Sequence, residues 1–162
     1  MNHTLANHTL ANHTLANDSA TAVAAAAAFV WLGMVLAISF LEAPLKFRAP
    51  GVTIPIGLGI GRLVFRALNA AEAVLAAVVI AAVVITTVAS GSPAAVVVLT
   101  AVAVAVLVIQ LVLVRPPLNR RSDRVLAGED PARTRSRAHL WYVALESVKV
   151  VSLAALGWAL LG

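Results

Sequence analysis

Hydrophobic residues run along this chain in four long stretches, which short segments rich in polar and charged residues separate. The stretches cover about residues 22–41, 57–88, 94–114 and 139–161. Each is close to or above the ~20 predominantly apolar residues that an α-helix needs to cross a bilayer. The pattern predicts an all-α integral membrane protein, with residues 21–162 forming a bundle of four transmembrane helices.

The composition agrees with a membrane protein. The 162-residue chain is 61% hydrophobic and 12% charged, whereas soluble domains are about 45–50% apolar and about 25% charged. The chain has no cysteine, which excludes disulfides, thiolate metal sites and a cysteine nucleophile. The enrichment in Ala, Val and Leu, with Arg as the main basic residue, favours a bacterial source and hence the bacterial inner membrane.

Basic residues are confined to two of the connecting segments and to the fourth helix. Of 12 Lys and Arg residues, four lie in or just after the first loop and seven lie in or beside the third. The positive-inside rule then predicts that loops one and three are cytoplasmic and that both termini are extracytoplasmic. The third loop also contains acidic residues and lies between two spans, so no nucleic-acid surface is predicted there.

The N-terminal segment repeats the five residues NHTLA three times. A polar, terminal segment whose period matches no solenoid class is expected to be disordered, which we predict for residues 1–20. A more specific alternative is a copper or nickel site, because an amino terminus with histidine at position three offers square-planar nitrogen ligation from Met1, Asn2 and His3. A looser metal-binding tract formed by His3, His8 and His13 is a further alternative, and no cofactor is predicted.

Ionisable and polar residues share one face of the fourth predicted helix. His139, Tyr142, Glu146 and Lys149 are spaced by three, four and three residues, which keeps their side chains on that face. At ~1.5 Å per residue, Lys149 lies about 15 Å along the axis from His139, near the middle of a bilayer. A charge at that depth costs at least ~2.5–3.5 kcal/mol unless it is paired, so these residues are expected to face the bundle interior.

The second predicted helix carries a matching polar face at spacings of four, three and three residues, formed by Arg62, Arg66, Asn69 and Glu72. We therefore expect the second and fourth helices to pack with these two faces in contact. In this arrangement Lys149 lies between Glu72 and Glu146, because each buried charge needs a partner.

The two faces together form the candidate binding site, which consists of Asn69, Glu72, His139, Tyr142, Glu146 and Lys149. Supporting polar residues at a similar depth are Glu42, Lys46, Arg62, Arg66 and Gln110. The structural alternative is a polar zipper that fixes helix pairing, and such contacts contribute only ~0.6 kcal/mol on average. The cluster has more ionisable groups than helix pairing requires, which favours a functional site.

Three functions fit this cluster. The preferred one is the binding or transport of a small polar solute, an ion or a proton. The second is an accessory subunit whose polar face completes a larger membrane complex. The third is a membrane enzyme that acts on a lipid-borne substrate, with Glu72 or Glu146 as acid or base. The expected partners are the lipid bilayer and either further copies of the chain or a larger complex.

Three motifs resemble an uncharacterised bacterial family of four-span membrane proteins: KF-x-AP, R-x-x-F-x-x-x-N-x-x-E and H-x-x-Y-x-x-x-E-x-x-K. The likeness covers about residues 29–162, and its motif positions are Lys46, Phe47, Ala49, Pro50, Arg62, Phe65, Asn69, Glu72, His139, Tyr142, Glu146 and Lys149. The segments APLKFR, PPLNRRSD and RAHLWY also resemble the transmembrane-protein-205-like family. These resemblances imply a four-span fold and a site at the motif residues, but no particular activity.

The second helix is also similar to that of the four-span glutathione and eicosanoid enzyme superfamily, in which it carries R-A-x-x-N-x-x-E. The segment RALNAAE keeps the Asn-x-x-Glu part but is one residue shorter before it. The tyrosines and the arginine that those enzymes use near the third helix are missing from this sequence. A glutathione-like substrate is therefore part of the enzyme alternative.

Overall fold

A computed structural model describes the backbone of residues 2–128 and 138–162, and the side chains of the same ranges apart from residues 2–13, 121, 138 and 139. Within these ranges the secondary structure is helical. The five main helices are α1 (Asn2–Val35), α2 (Ile54–Ser90), α3 (Ala94–Ile109), α4 (Arg115–Leu126) and α5 (Ala138–Leu161).

Four helical stretches in the described part of the chain are long and apolar enough to cross a membrane, namely Thr14–Arg48, Ile54–Ser90, Ala94–Leu126 and Leu140–Leu161. The all-α architecture with four such helices, predicted from the hydropathy pattern, is confirmed. Helix α2 has 37 residues and is therefore about 55 Å long, which exceeds the ~30 Å thickness of a bilayer's hydrocarbon core. It ends at Ser90, and the next residue, Gly91, has a φ of 76° and begins the turn before α3.

Two helices contain a wide, π-helical turn just before a proline. Helix α1 continues through the π-helical segment Leu36–Glu42 towards Pro44, and α3 continues through Gln110–Val114 towards Pro116. Proline lacks a backbone N–H and its ring collides with the preceding turn, so local π-helical geometry lets the helix pass the proline without ending. As a result, α4 extends the third span into the segment that the sequence analysis had predicted to be a loop.

The bundle is held together mainly by α1, which packs against α2 and α5, while α3 packs against α5. Small and branched residues from these helices fill two adjoining apolar layers, represented by Ala28, Val79 and Leu156 in one layer and by Val35 and Leu153 in the other. Helices α2 and α5 make little direct backbone contact. The predicted packing of the second helix against the fourth is therefore not a principal contact of the bundle, because α1 packs against both of them.

Helix α1 begins at Asn2 and so includes the NHTLA repeat, for which the sequence predicted disorder. Extending a helix that is already formed is far easier than nucleating one, because each added residue gains a hydrogen bond without a new nucleus. The repeat can therefore continue the helix of the first span. The possible copper or nickel site at Met1, Asn2 and His3 lies outside the residues whose side chains are described.

Candidate functional site

A buried ionic centre lies where α1, α2 and α5 approach one another. The Lys149 ammonium donates a hydrogen bond of 2.5 Å to Glu72 Oε1 and lies 3.4 Å from the Glu146 carboxylate. The indole N–H of Trp31 donates to the same Glu72 oxygen at 2.9 Å. All four residues are at most 1% exposed. The predicted contact of Lys149 with both glutamates is confirmed.

The centre depends on the reach of the lysine side chain. Because α2 and α5 are not close neighbours, the flexible four-carbon stem of Lys149 brings its ammonium to a carboxylate on the other helix. Trp31 was not among the predicted site residues. A signal for it exists in the sequence, because a tryptophan in the middle of an apolar helix has an indole N–H that needs an acceptor.

Glu72 is also linked to Arg115 through Asn69. In the amide orientation that satisfies the hydrogen bonds, Asn69 donates to Glu72 Oε2 at 3.2 Å and accepts from Arg115 Nε at 2.6 Å and Nη1 at 2.7 Å. The guanidinium supplies a second positive charge, so Glu72, Glu146, Lys149 and Arg115 together have a formal charge of zero. Arg115 is one of the seven basic residues in or beside the third loop from which the sequence predicts the topology, and it is not among the predicted site residues.

A cavity of about 520 Å³ adjoins the ionic centre. It lies between the C-terminal end of the first span, the first half of α2, α4 and the start of α5. Its polar lining comes from Ser39, Lys46, Arg62, Arg115, Asn119, Ser122, Tyr142 and Glu146, and most of its apolar lining comes from Phe40, Phe47, Leu58, Phe65 and Leu118. A volume of this size is typical of small-molecule sites, which range over ~300–1,000 Å³.

Three buried oxygens among the cavity residues have no hydrogen-bond partner in the described part of the chain: Ser39 Oγ, Tyr142 Oη and Glu146 Oε2. The Tyr142 hydroxyl lies beside both other groups, but neither contact has the geometry of a hydrogen bond. Its ring is fixed by an edge-to-face contact with Phe65, with 5.6 Å between ring centroids. A buried polar group without a partner costs about 1–3 kcal/mol, so these oxygens are available to a ligand.

Two further cations line the cavity. The Lys46 ammonium is 3.3 Å from Glu42 Oε2, and it lies 5.3 Å and 5.7 Å from the ring centroids of Phe65 and Phe47. Arg62 forms an ion pair with Asp123 on α4. Of the predicted supporting residues, Lys46 and Arg62 line the cavity, whereas Glu42 does not.

The remaining predicted residues are divided. Arg66 is exposed and lines a smaller adjoining cavity, together with Arg62 and Arg115. Gln110 is buried, does not line the main cavity, and its amide nitrogen has no partner among the described residues. The side chain of His139 lies outside the described part of the structure.

Among the described residues, no group of three His, Cys, Asp or Glu side chains could hold a metal ion. The polar groups of the site are instead one carboxylate, three cations, an amide and several hydroxyls around a shared space. Such a set is suited to binding a polar organic molecule through hydrogen bonds and ion pairs.

Comparisons of the chain with protein-family models, with curated proteins and with solved structures give no match. The resemblance of the three motifs to a bacterial four-span family stays a prediction.

Proposed function

We propose that this chain is a multi-pass protein of the bacterial inner membrane that binds a small polar solute in the cavity beside Glu146. Loops one and three are cytoplasmic in this proposal, and both termini are outside, so the solute enters from the cytoplasm. One observation supports this function most strongly: Glu146 Oε2 and Tyr142 Oη are buried, lack hydrogen-bond partners among the described residues, and line a cavity of about 520 Å³.

A purely structural polar zipper explains less of the arrangement. Lys149 already has a short contact with Glu72, and both oxygens of Glu72 are hydrogen-bonded. Glu146 adds a second buried carboxylate, whose closest ionic contact is 3.4 Å long. Burying a carboxylate with an unsatisfied oxygen costs free energy, so a structural network alone would be more stable without it. A ligand that donates a hydrogen bond to Glu146 would compensate the cost of burying its carboxylate.

The proposed function is solute binding, and transport would require a further change of conformation. Beyond Lys149 lie the two apolar layers of the bundle interior, where a hydrated solute would have to give up hydrogen bonds to water. Passage through a single chain therefore requires the helices to separate. The π-helical segment Leu36–Glu42 lies beside the cavity through Ser39, and such segments are frequent at functional sites.

Ligand-induced stabilisation tests the function. The purified protein in nanodiscs is screened against a library of small polar metabolites by thermal unfolding. At least one solute is expected to raise the Tm of the wild type and of the control Ser147→Ala, whose position is exposed next to the site. Glu146→Gln is expected to lose the shift while remaining folded, because Lys149 keeps its contact with Glu72. The absence of any stabilising solute, or an equal shift in Glu146→Gln, would overturn the proposal.

Single cysteines test the proposed sidedness, since the natural chain has none. Asn119→Cys on α4 and Gly162→Cys at the C-terminus introduce thiols at exposed positions. A membrane-impermeant maleimide added to intact cells is expected to label Gly162→Cys, and to label Asn119→Cys only after the membrane is permeabilised. The reverse labelling pattern would place loops one and three outside and refute this topology.

A further inference from the structure

The cavity has two chemically opposite ends. At its inner end are three oxygens that can accept hydrogen bonds, on Ser39, Tyr142 and Glu146, and Glu146 is only 1% exposed. At its other end are Lys46 and Arg62, whose side chains are 9% and 31% exposed, while the third lining cation, Arg115, is hydrogen-bonded to Asn69. The acceptors favour a ligand group that donates several hydrogen bonds, and the cations favour an anionic group.

The charges that surround the cavity are already balanced. The centre formed by Glu72, Glu146, Lys149 and Arg115 has a formal charge of zero. At the other end, Lys46 is paired with Glu42 and Arg62 with Asp123. A ligand with a net charge would upset this balance in a partly desolvated space, where an uncompensated charge is costly. A ligand with one positive and one negative group keeps the balance and supplies partners to both ends.

The walls between the two ends are apolar and aromatic. Phe47 and Phe65 line the cavity, and both ring centroids lie within 6 Å of the Lys46 ammonium. Their rings offer surface to a hydrocarbon or aromatic group of the ligand. The volume of about 520 Å³ leaves room for such a group in addition to the two charged ends.

We propose that the ligand is a zwitterion of the amino-acid type with an apolar side group, whose ammonium binds at Glu146, Tyr142 and Ser39 and whose acidic group binds at the Lys46 end. This inference rests on the proposed solute-binding function and specifies its substrate class. The same chemistry, an ammonium a few bonds from an acidic group, occurs in a free amino acid and in a phosphatidylethanolamine headgroup. A comparison of phosphatidylcholine with phosphatidylethanolamine nanodiscs distinguishes these two sources.

Three probes that share a phenylethyl group separate the contributions of the two charged groups: phenylalanine, 3-phenylpropionate, which lacks the ammonium, and 2-phenylethylamine, which lacks the carboxylate. Their affinities are measured by calorimetry on the full chain in phosphatidylcholine nanodiscs, whose lipid has no primary amine. Phenylalanine is expected to bind at least about tenfold more tightly than either truncated probe, because each truncation removes a charge-assisted contact.

Two variants assign the contacts. Glu146→Gln is expected to weaken the binding of phenylalanine about tenfold, which brings its affinity to that of 3-phenylpropionate. The affinity of 3-phenylpropionate itself should not change. Lys46→Met is expected to weaken the binding of phenylalanine and of 3-phenylpropionate, and to leave the affinity of 2-phenylethylamine unchanged. Circular dichroism confirms that each variant is folded, and Ser147→Ala is the matched control. A general loss of structure would not produce these opposite selectivities.

Phosphatidylethanolamine nanodiscs provide the second arm. If the headgroup is the occupant, this lipid weakens phenylalanine binding and slows maleimide labelling of Ser39→Cys relative to phosphatidylcholine; if a free amino acid is the occupant, neither changes. Both results support the shared chemistry. The inference is overturned if a truncated probe binds as tightly as phenylalanine, or if neither phenylalanine nor phosphatidylethanolamine occupies the site. The solute-binding function still stands in that case, provided that the metabolite screen yields another ligand dependent on Glu146.

Discussion

Replacing Lys149 with methionine tests whether the buried ionic centre stabilises the fold. Methionine keeps an unbranched, flexible side chain and removes only the ammonium end, which lies 2.5 Å from Glu72 Oε1 and 3.4 Å from Glu146. Both carboxylates then lose the cation that contacts them directly, while remaining buried at 0% and 1% exposure. The perturbation therefore leaves the centre with one excess negative charge inside the bundle.

The expected loss of stability lies between two reference values. Removing one partner of a buried ion pair costs about 3–5 kcal/mol in soluble proteins, whereas polar contacts between membrane helices average ~0.6 kcal/mol. The complete burial and short contact of Lys149 and Glu72 favour the higher value, so we expect Lys149→Met to cost about 3 kcal/mol. Val148→Met, at a half-exposed neighbouring position, is the matched control and should change stability by less than ~0.5 kcal/mol.

A double-mutant cycle isolates the pair itself. Glu72→Gln removes the charge but keeps an oxygen that can accept from Trp31, so adding it to Lys149→Met relieves part of the penalty. We expect a coupling energy of about 2 kcal/mol between the two substitutions. The free energies of unfolding come from titration with dodecyl sulfate in mixed micelles, followed by far-ultraviolet circular dichroism. If the losses of unfolding free energy in the two single variants sum to that of the double variant within ~0.5 kcal/mol, the ion pair does not stabilise this bundle.

Two further predictions concern packing around α1. Trp31→Phe removes the donor of the 2.9 Å hydrogen bond to Glu72 and should cost about 1–3 kcal/mol in the same titration, whereas Trp158→Phe, at a position 79% exposed, should change little. Gly157→Ala places a methyl carbon 2.7 Å from the ring of Phe29 and should cost about 1–3 kcal/mol, while Gly33→Ala meets nothing within 4 Å and should be neutral or stabilising. Equal Tm values for the two alanine variants would contradict the close packing of α1 against α5.

The hydropathy pattern alone predicted the four long helices, because an apolar stretch of ~20 residues in a bilayer has to satisfy its backbone hydrogen bonds internally. Spacing within the helices also predicted that Lys149 contacts Glu72 and Glu146. That prediction was possible because an unpaired charge in an apolar interior is so costly that its few available partners are nearly determined in advance.

The hydrogen-bond partners of Trp31 and Arg115 were not predictable in this way, because leaving these groups unpaired costs less free energy. Trp31 and Arg115 each have several acceptors within reach in the sequence, and only the arrangement of α1, α2 and α4 in space selects Glu72 and Asn69 for them. The helical extension of the third span past Pro116 likewise depends on a local π-helical turn rather than on hydropathy.

The sequence by itself determined the four long apolar stretches, the polar faces of the second and fourth, and the need for the buried charges to meet. Only the tertiary structure decided which helices are neighbours, that α1 packs against both helices bearing the charged faces, and that a cavity lies beside Glu146. The physical reason is that lipid tails and neighbouring apolar helices are similar solvents for Ala, Val and Leu, so hydropathy does not tell the lipid-facing side of a helix from its packed side. Those choices follow from side-chain shape and from the directional contacts of a few polar groups, which exist only once the helices have packed.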